Sequence, residues 1–338
     1  MGILDSLSTP VIIAPMAGGP STPAMVTAAA EAGSLGFLAG GTSSVTQFRT
    51  ELAQVSGRFG VNLFRPQEQK PTPSDVDEVA GLLTQAFRGY GLGDPSVPTV
   101  DLSNGWEEKF RLAVAARPAV ISCTFGIFTP DEFATLHQAG IQAWVTVTNE
   151  ADAHAAERAG ADALVVQGPE AGGHRSTWSL TEEPDATPLE ELVRAVVDKV
   201  RVPVVAAGGV TTRADVRRIL DLGADAVACG SAFLLADEAG TSAANRELLL
   251  SATDRGLDTI CSRGFSGRYA RGVATRFVKE NDSLPPVYPY LNPMIAPLRA
   301  AAGATGSWDY AYCLVGAGIG NIKQGSVKRI LSTMNPSV

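Results

Sequence analysis

Cysteine and histidine are scarce in this 338-residue chain, which has four of the first and three of the second. The cysteines lie far apart, without a Cys-x-x-Cys pair or a histidine at ligand spacing, so we expect neither a metal site nor disulfides. No apolar run reaches the length of a membrane span, and the N-terminus lacks the basic and apolar regions of a signal peptide. We therefore expect a soluble, cytoplasmic protein with reduced thiols at Cys123, Cys229, Cys261 and Cys313.

Positive charge is also in short supply. The net charge is −8 and the pI is near 5.0, which argues against nucleic acid or an anionic membrane as the main partner. A hydrophobic content of 45% with 18% charged residues is typical of a globular protein with a buried core. The length fits one large α/β domain, or a barrel with a smaller unit.

Short apolar runs alternate with segments of helical period through the first two-thirds of the chain. Most runs lack polar alternation, as in parallel strands that are covered on both faces. The candidate strands are Val11–Ala14, Leu35–Ala39, Phe59–Phe64, Ala119–Cys123, Ala143–Val147, Ala163–Gln167, Val204–Ala207 and Ala226–Cys229. Helices are predicted at about 22–33, 43–56, 104–117, 130–139, 149–159, 187–200 and 211–222. Eight strands alternating with helices predict an α/β protein with a (β/α)8 TIM barrel, and a doubly wound open sheet is the alternative.

Two segments interrupt this rhythm. Residues 65–103, rich in proline, glycine and acids, are interpreted as a surface excursion near the barrel mouth. Residues 237–300 show helical patterns, a proline-rich end and no clear strand, so we expect a smaller helical cap domain on the substrate side. The barrel domain is then 1–236 with 301–338, ending in a helix at roughly 319–333. Aromatic residues of the cap are expected to shape an apolar pocket: Phe265, Tyr269, Phe277, Tyr288 and Tyr290.

The most informative motif follows the sixth candidate strand and ends in a histidine. The strand runs into Gly168-Pro-Glu-Ala-Gly172-Gly173-His174, where glycines permit positive φ or close approach of a ligand to the backbone. Imidazole titrates near neutral pH, so His174 is a candidate proton-transfer group, although an isolated loop histidine is more often just a surface residue.

Two glycine turns follow the seventh and eighth candidate strands, where barrels commonly bind phosphate. The first contains Gly208 and Gly209, and the second contains Gly230 and Ser231. Each turn is expected to open a helix and to offer backbone N–H groups to an anion, although glycine also simply makes tight turns. No G-x-G-x-x-G pattern follows the first strand, which disfavours a Rossmann-bound dinucleotide.

Three further residues are candidates for contact with a flat ring that lies across the barrel mouth. Met16 follows the first strand and could pack against an aromatic ring. Asn62 and Gln167 carry carboxamides that can donate and accept hydrogen bonds, as a pyrimidine-like ring edge requires. Taken alone, Met16 is equally compatible with a turn that only closes the barrel, and amides at strand ends more often just form hydrogen bonds there.

Together these motifs resemble the nitronate monooxygenase family, also known as 2-nitropropane dioxygenases, which are FMN-containing TIM barrels. The resemblance covers about residues 10–280. The motifs that carry it are Ala14-Pro-Met-Ala-Gly, Gly60-Val-Asn-Leu-Phe, Gln167-Gly-Pro-Glu-Ala-Gly-Gly-His174-Arg, Ala206-Ala-Gly-Gly-Val, Ala228-Cys-Gly-Ser-Ala-Phe and Ser266-Gly-Arg-x-Ala-Arg-Gly. The glycine–histidine motif is specific to this superfamily, whereas the two phosphate turns occur in many FMN barrels.

The resemblance implies a cofactor, a base and a reaction. It implies that FMN contacts Met16, Asn62, Gln167, Gly172, Gly208, Gly209, Ala228, Cys229, Gly230 and Ser231. It implies that His174 is the catalytic base in the oxidation of nitroalkanes or alkyl nitronates by O2 to a carbonyl compound and nitrite. The glycine-rich segment 316–320 departs from the family pattern, which puts substrate specificity in doubt more than cofactor binding.

Two other functions stay open. The same signature occurs in FMN-dependent NAD(P)H-using reductases that act on enoyl thioesters or quinones. A non-catalytic flavin-binding barrel is the third hypothesis, from a different functional class. Small molecules and O2 are the expected partners in the first case, and a homodimer is open in all three.

Overall fold

The chain folds into a closed barrel of eight parallel strands, in a computed structural model that describes residues 2–336. The strands of the protein are β1 (Val11–Ile13), β2 (Gly36–Ala39), β3 (Phe59–Phe64), β4 (Val120–Thr124), β5 (Gln142–Val147), β6 (Ala163–Gln167), β7 (Gly173–His174), β8 (Val204–Ala207), β9 (Ala226–Cys229), β10 (Thr259–Ser262) and β11 (Ala270–Val273). All except β7, β10 and β11 belong to the barrel, which closes where Ile13 of β1 lies opposite Cys229 of β9. The eight predicted strands are therefore confirmed, and the open sheet is wrong.

Most helices connect the barrel strands and cover them. The helices are α1 (Pro23–Glu31), α2 (Val45–Leu52), α3 (Pro73–Gly89), α4 (Trp106–Ala116), α5 (Pro130–Gln138), α6 (Glu150–Ala159), α7 (Leu189–Val197), α8 (Arg213–Leu220), α9 (Ala243–Leu250), α10 (Arg276–Glu280), α11 (Leu291–Ala304) and α12 (Val327–Met334). Of these, α9–α11 begin within the segment 237–300, after the last barrel strand. Local sequence sets their ends: Thr129 and Glu132 form a capping box at α5, and Gly160 ends α6 with φ of 109°. The last helix begins eight residues later than predicted, after a short 3-10 turn at Ile319–Asn321.

A second sheet of three antiparallel strands, in the order β10-β11-β7, lies outside the barrel. In it His174 pairs with Ala270, and Gly173 pairs with Arg271. The prediction that 237–300 contains no strand is wrong, because β10 and β11 lie there. These strands have four residues each and little apolar alternation, so their pairing with a distant glycine turn leaves almost no local signal.

The segment predicted as a surface excursion contributes to a second hydrophobic core. Its helix α3 is 17 residues long and buries Val76, Val79, Leu83 and Phe87. These side chains join a cluster with Leu291, Met294, Ile295 and Leu298 of α11, separate from the cluster around the barrel. The cap therefore packs against 73–89 as well as against the barrel, and the division into two domains stays a prediction.

Two general features of residues 2–336 bear on function. No helix there is long and apolar enough to cross a membrane. The four cysteines are free thiols, and the described part of the chain holds no group of three His, Cys, Asp or Glu side chains suited to a metal ion.

Candidate active site

A cavity of about 270 Å³ lies at the carboxyl-terminal ends of the barrel strands. Parallel strands of a barrel all deliver their following loops to this end, so residues far apart in sequence meet there. All eleven residues that the sequence predicts for the site line this cavity: Met16, Asn62, Gln167, Gly172, His174, Gly208, Gly209, Ala228, Cys229, Gly230 and Ser231. The other described residues that line the cavity include no Lys, Arg, Asp or Glu, so its wall has no charged side chain of these types.

The two glycine turns expose backbone donors to the cavity. Gly208 and Gly209 have φ of 135° and 66°, which a residue with a Cβ rarely adopts. Among the described residues, no protein acceptor takes the backbone N–H of Gly209 or of Gly230. These N–H groups at the cavity wall are free to donate to a ligand, so the turns suit an anionic or strongly accepting group.

The helices after these turns contribute less to an anion site than the sequence suggests. At the start of α8, Asp215 accepts hydrogen bonds from the N–H groups of Thr211 and Thr212 at 3.1 and 2.9 Å. Burial opposes ionisation of this carboxyl, but the backbone and hydroxyl donors outweigh it and lower the pKa. The turn after β9 opens only a 3-10 helix at Ser231–Phe233. The free donors are therefore those of the glycine turns, not those of helix ends.

The divergent C-terminal glycine segment packs against the same turns, which the sequence alone did not indicate. The N–H of Gly316 donates to Ser231 Oγ at 2.8 Å. A Cβ on Gly318 would come within 2.7 Å of Thr211, and one on Gly172 within 2.4 Å of the Gly316 nitrogen. Gly316 and Gly318 thus belong to the site, and their Gly-x-Gly spacing after an apolar run was the available signal.

The two carboxamides have different surroundings. Asn62 is buried and its Nδ2 donates to Ser122 Oγ and Thr124 Oγ1 at 2.9 and 3.1 Å, which leaves Oδ1 as the acceptor toward the cavity. Gln167 instead bridges the histidine strand: Nε2 donates to the carbonyl of His174 and Oε1 accepts from the N–H of Ser176. Gln167 therefore fixes the backbone around His174, with one N–H left for a ligand.

The His174 side chain is enclosed by aromatic rings. Its ring centroid lies 6.2 Å from that of Phe64, 5.7 Å from that of Phe125 and 5.4 Å from that of Tyr288, all in edge-on arrangements. Nε2 is 2.8 Å from Ser266 Oγ, its hydrogen-bond partner. Ser266 belongs to a motif that the sequence singled out, but only the fold brings it next to the histidine.

Burial, and secondly the positive charge of Arg268, lower the pKa of His174 from 6.5 to about 3. The imidazole is therefore neutral at pH 7 and can accept a proton. The thiol of Cys229 is also buried, which raises its pKa, so this residue offers its backbone and not a reactive thiolate.

The cap contributes to the cavity through residues other than those expected. The lining contains none of the five aromatic residues predicted for this role, although Tyr288 contacts the His174 ring from outside it. Residues of 237–300 that do line the cavity are Thr241, Asn245, Leu249 and Asn292. Beyond the cap, Tyr312 and Cys313 also line it, and the Tyr312 carbonyl accepts from Asn245 Nδ2 at 3.1 Å.

A (β/α)8 barrel with glycine turns after its last two strands and a neutral, enclosed histidine at its mouth has the design of a barrel enzyme that binds a phosphorylated cofactor. Comparisons with known proteins are consistent with this class. The family model described as nitronate monooxygenase matches residues 3–336. A probable nitronate monooxygenase from Staphylococcus aureus (strain JH9) is 32% identical over 321 residues, which cover 91% of this chain and 88% of that protein.

Solved structures agree. A nitroalkane oxidase from Streptomyces ansochromogenes superimposes with a TM-score of 0.89 at 32% identity, covering 99% of this chain and 97% of the other. FabK from Thermotoga maritima shares the fold, with a TM-score of 0.68 at 22% identity over 98% of this chain and 93% of its own. The chain belongs to the nitronate monooxygenase family, and it is a flavin-dependent oxidoreductase.

Proposed function

We propose that this protein oxidises alkyl nitronates and nitroalkanes with O2 to a carbonyl compound and nitrite, with FMN in the cavity and His174 as the base. One observation carries the proposal: a neutral imidazole lines the same cavity as two glycine turns with free backbone donors. A base must be unprotonated before it can act, and His174 meets that condition at neutral pH.

The residues of the cavity fit FMN. The donors of Gly208, Gly209, Gly230 and Ser231 suit its phosphate, and the Oδ1 acceptor of Asn62 suits a ring N–H. Met16 offers a thioether to the ring system, and Gln167, Gly172, Ala228 and Cys229 complete the wall. When bound, FMN supplies the acceptor for the electrons of the substrate and the donor of electrons to O2.

His174 would remove the α-proton of a neutral nitroalkane. In the tautomer whose Nε2–H donates to Ser266 Oγ, Nδ1 carries no hydrogen and is the nitrogen that takes the proton. The rings of Phe64, Phe125 and Tyr288 pack around the imidazole and restrict the access of solvent to it, whereas its cavity side stays open to substrate. The imidazolium formed in this way then pairs with the anionic nitronate.

Replacement of His174 by Asn tests this role. Loss of a general base costs ~10²–10⁴-fold in rate, so Asn should lower nitroethane turnover by that order while FMN stays bound. Preformed ethyl nitronate, which has already lost its proton, should be affected less. His137→Asn is the matched control, since His137 lies on α5 outside the cavity.

Nitroethane oxidation at the wild-type rate by His174→Asn would rule out this histidine as the base. Anaerobic mixing provides a second check on the reaction. We expect ethyl nitronate to bleach the flavin faster than NADH does, and the reverse order would assign the protein to the reductases instead.

A further inference from the structure

A buried arginine on the connection between β10 and β11 packs on an aromatic ring that also contacts His174. Arg268 is 1% exposed, and its guanidinium carbon lies 3.9 Å above the ring centroid of Phe125. The same ring contacts the His174 imidazole, almost perpendicular to it at 89°, as well as the rings of Phe64 and Tyr288. Phe125 thus contacts both a positively charged side chain and the histidine.

All hydrogen-bond acceptors of Arg268 are neutral. They are Gln67 Oε1 at 2.6 Å, Thr177 Oγ1 at 3.2 Å, and the carbonyl oxygens of Thr177, Arg175 at 3.5 Å and Ser179 at 3.5 Å. Within residues 2–336 no carboxylate accepts a hydrogen bond from this buried guanidinium, and Glu182 acts on it only through its charge, without an ion pair. The charge of Arg268 therefore acts on His174, where it is the second cause, after burial, of the lowered pKa.

Phe125 itself is held in a conformation that bulky residues avoid. Its φ is 73°, in the left-handed region. The side chain of Gln67 holds this backbone in place and links it to the arginine: Nε2 donates to the carbonyl of Phe125 at 3.0 Å, and Oε1 accepts from Arg268. Strained residues of this kind concentrate at functional sites, where the surrounding structure fixes them.

We infer that Gln67, Phe125 and Arg268 form a clamp that positions His174 and keeps it free of a proton until an anionic group lies beside it. The remaining neighbours allow this. Tyr288, the titratable ring in contact with His174, is neutral because burial raises its pKa to about 12, although Arg268 opposes this. Arg175, next in the chain, directs its guanidinium to the Asp185 carbonyl at 3.1 Å.

As a consequence, the proton affinity of His174 increases only as the nitronate forms beside it. In the clamp, positive charge disfavours the imidazolium, whereas a nitronate beside it supplies the missing negative charge. Arg268 and Phe125 are positioning residues, since neither lines the cavity and neither forms a hydrogen bond with His174. The inference rests on the proposed function, because it takes His174 as the base.

A histidine titration tests the clamp without reference to turnover. The chain has three histidines, so side-chain NMR of flavin-loaded protein with labelled histidine resolves His174, with His137 and His154 as internal references. We expect the His174 midpoint to rise by about one to two pH units in Arg268→Met, because removal of a nearby like charge has that effect. Arg268→Lys, which keeps the charge but not the fork, should stay close to wild type in the titration and lose kcat.

Arg263→Met is the matched control, because this arginine lies 4.3 Å above the ring of Tyr269 on the same connection but does not face His174. An unchanged His174 midpoint in Arg268→Met would overturn the electrostatic role. Nitroethane turnover by His174→Asn at the wild-type rate, with a shifted midpoint in Arg268→Met, would instead reject the base assignment and leave only the electrostatic effect of Arg268 on His174.

Wild-type protein gives a second measurement that does not depend on a folded variant. Nitrite, the proposed anionic product, should bind the flavin-loaded enzyme more tightly as the pH falls from 7 to 5, because its binding draws a proton onto His174. The pH dependence should disappear in His174→Asn. A nitrite dissociation constant that does not change with pH in the wild type would refute the coupling.

Discussion

The glycine turn after β8 allows the proposed phosphate position to be tested with a single charge. Gly209 has φ of +66°, and a Cβ built there would lie 2.9 Å from the Cβ of Glu170. Both Ala and Asp at this position would therefore contact Glu170 and adopt a left-handed backbone conformation. That conformation destabilises the folded state by about 1–2 kcal/mol for an ordinary residue and by less for Asp. Gly209→Ala is thus the control for the backbone, and Gly209→Asp adds the charge.

The size of the charge effect follows from Coulomb's law. At ~6 Å and an effective dielectric constant near 20, a carboxylate and one phosphate charge repel by about 3 kcal/mol, or ~10²-fold in affinity. We expect Gly209→Asp to bind FMN at least ~10²-fold more weakly than Gly209→Ala. Fluorescence titration of the flavin-free proteins measures this, with circular dichroism to confirm that both variants are folded.

Riboflavin, which lacks the phosphate, separates charge repulsion from damage to the site. The two variants should bind riboflavin with similar affinity. Equal FMN affinity in Gly209→Asp and Gly209→Ala would move the phosphate to another part of the cavity. An equal loss of FMN and riboflavin in Gly209→Asp would show that the substitution acts on the fold and not on the phosphate.

Two further predictions concern Gly172 and the acid stability of the protein. Gly172→Ala should lower the free energy of unfolding by about 1–3 kcal/mol and weaken FMN binding, because its Cβ would lie 2.4 Å from Gly316. The control Gly81→Ala, on an open face of α3, should be neutral or stabilising. Chemical denaturation measures both, and equal effects would contradict the close packing at Gly172. The pKa of His174 is lowered from 6.5 to about 3 on folding, so the unfolded chain binds more protons between these values and stability falls as the pH falls through this range. His174→Asn should therefore gain about 2 kcal/mol relative to wild type between pH 7 and pH 5, and a difference that stays constant with pH would exclude a buried neutral imidazole.

Much of the barrel and its mouth follows from local sequence. Continuous apolar runs such as Ala163–Gln167 and Val204–Ala207 need cover on both faces, and only a parallel sheet flanked by helices provides it. Glycine turns at fixed places after such strands then deliver backbone donors and His174 to one end of the barrel. The eleven predicted site residues meet in one cavity because this geometry repeats in every βα unit.

The surroundings of the histidine depend on contacts between distant segments. Ser266 lies 92 positions from His174, and Arg268 lies 201 positions from Gln67, so no pattern within a window of sequence relates them. The same holds for β10 and β11, whose short runs form strands only beside the glycine turn. Helix α3 looked like part of a loop because its apolar face is buried by α11 from the other end of the chain.

The sequence by itself determined that there is a barrel, which strand ends carry glycine and where the histidine stands, because periodicity and turn chemistry act over a few residues. Tertiary structure decided the protonation state of that histidine. The rings of Phe64, Phe125 and Tyr288 restrict the access of water to His174, and Arg268 adds a positive charge, so the pKa depends on four side chains from separate segments. Desolvation and Coulomb interactions depend on distance in space, and the fold alone sets that distance.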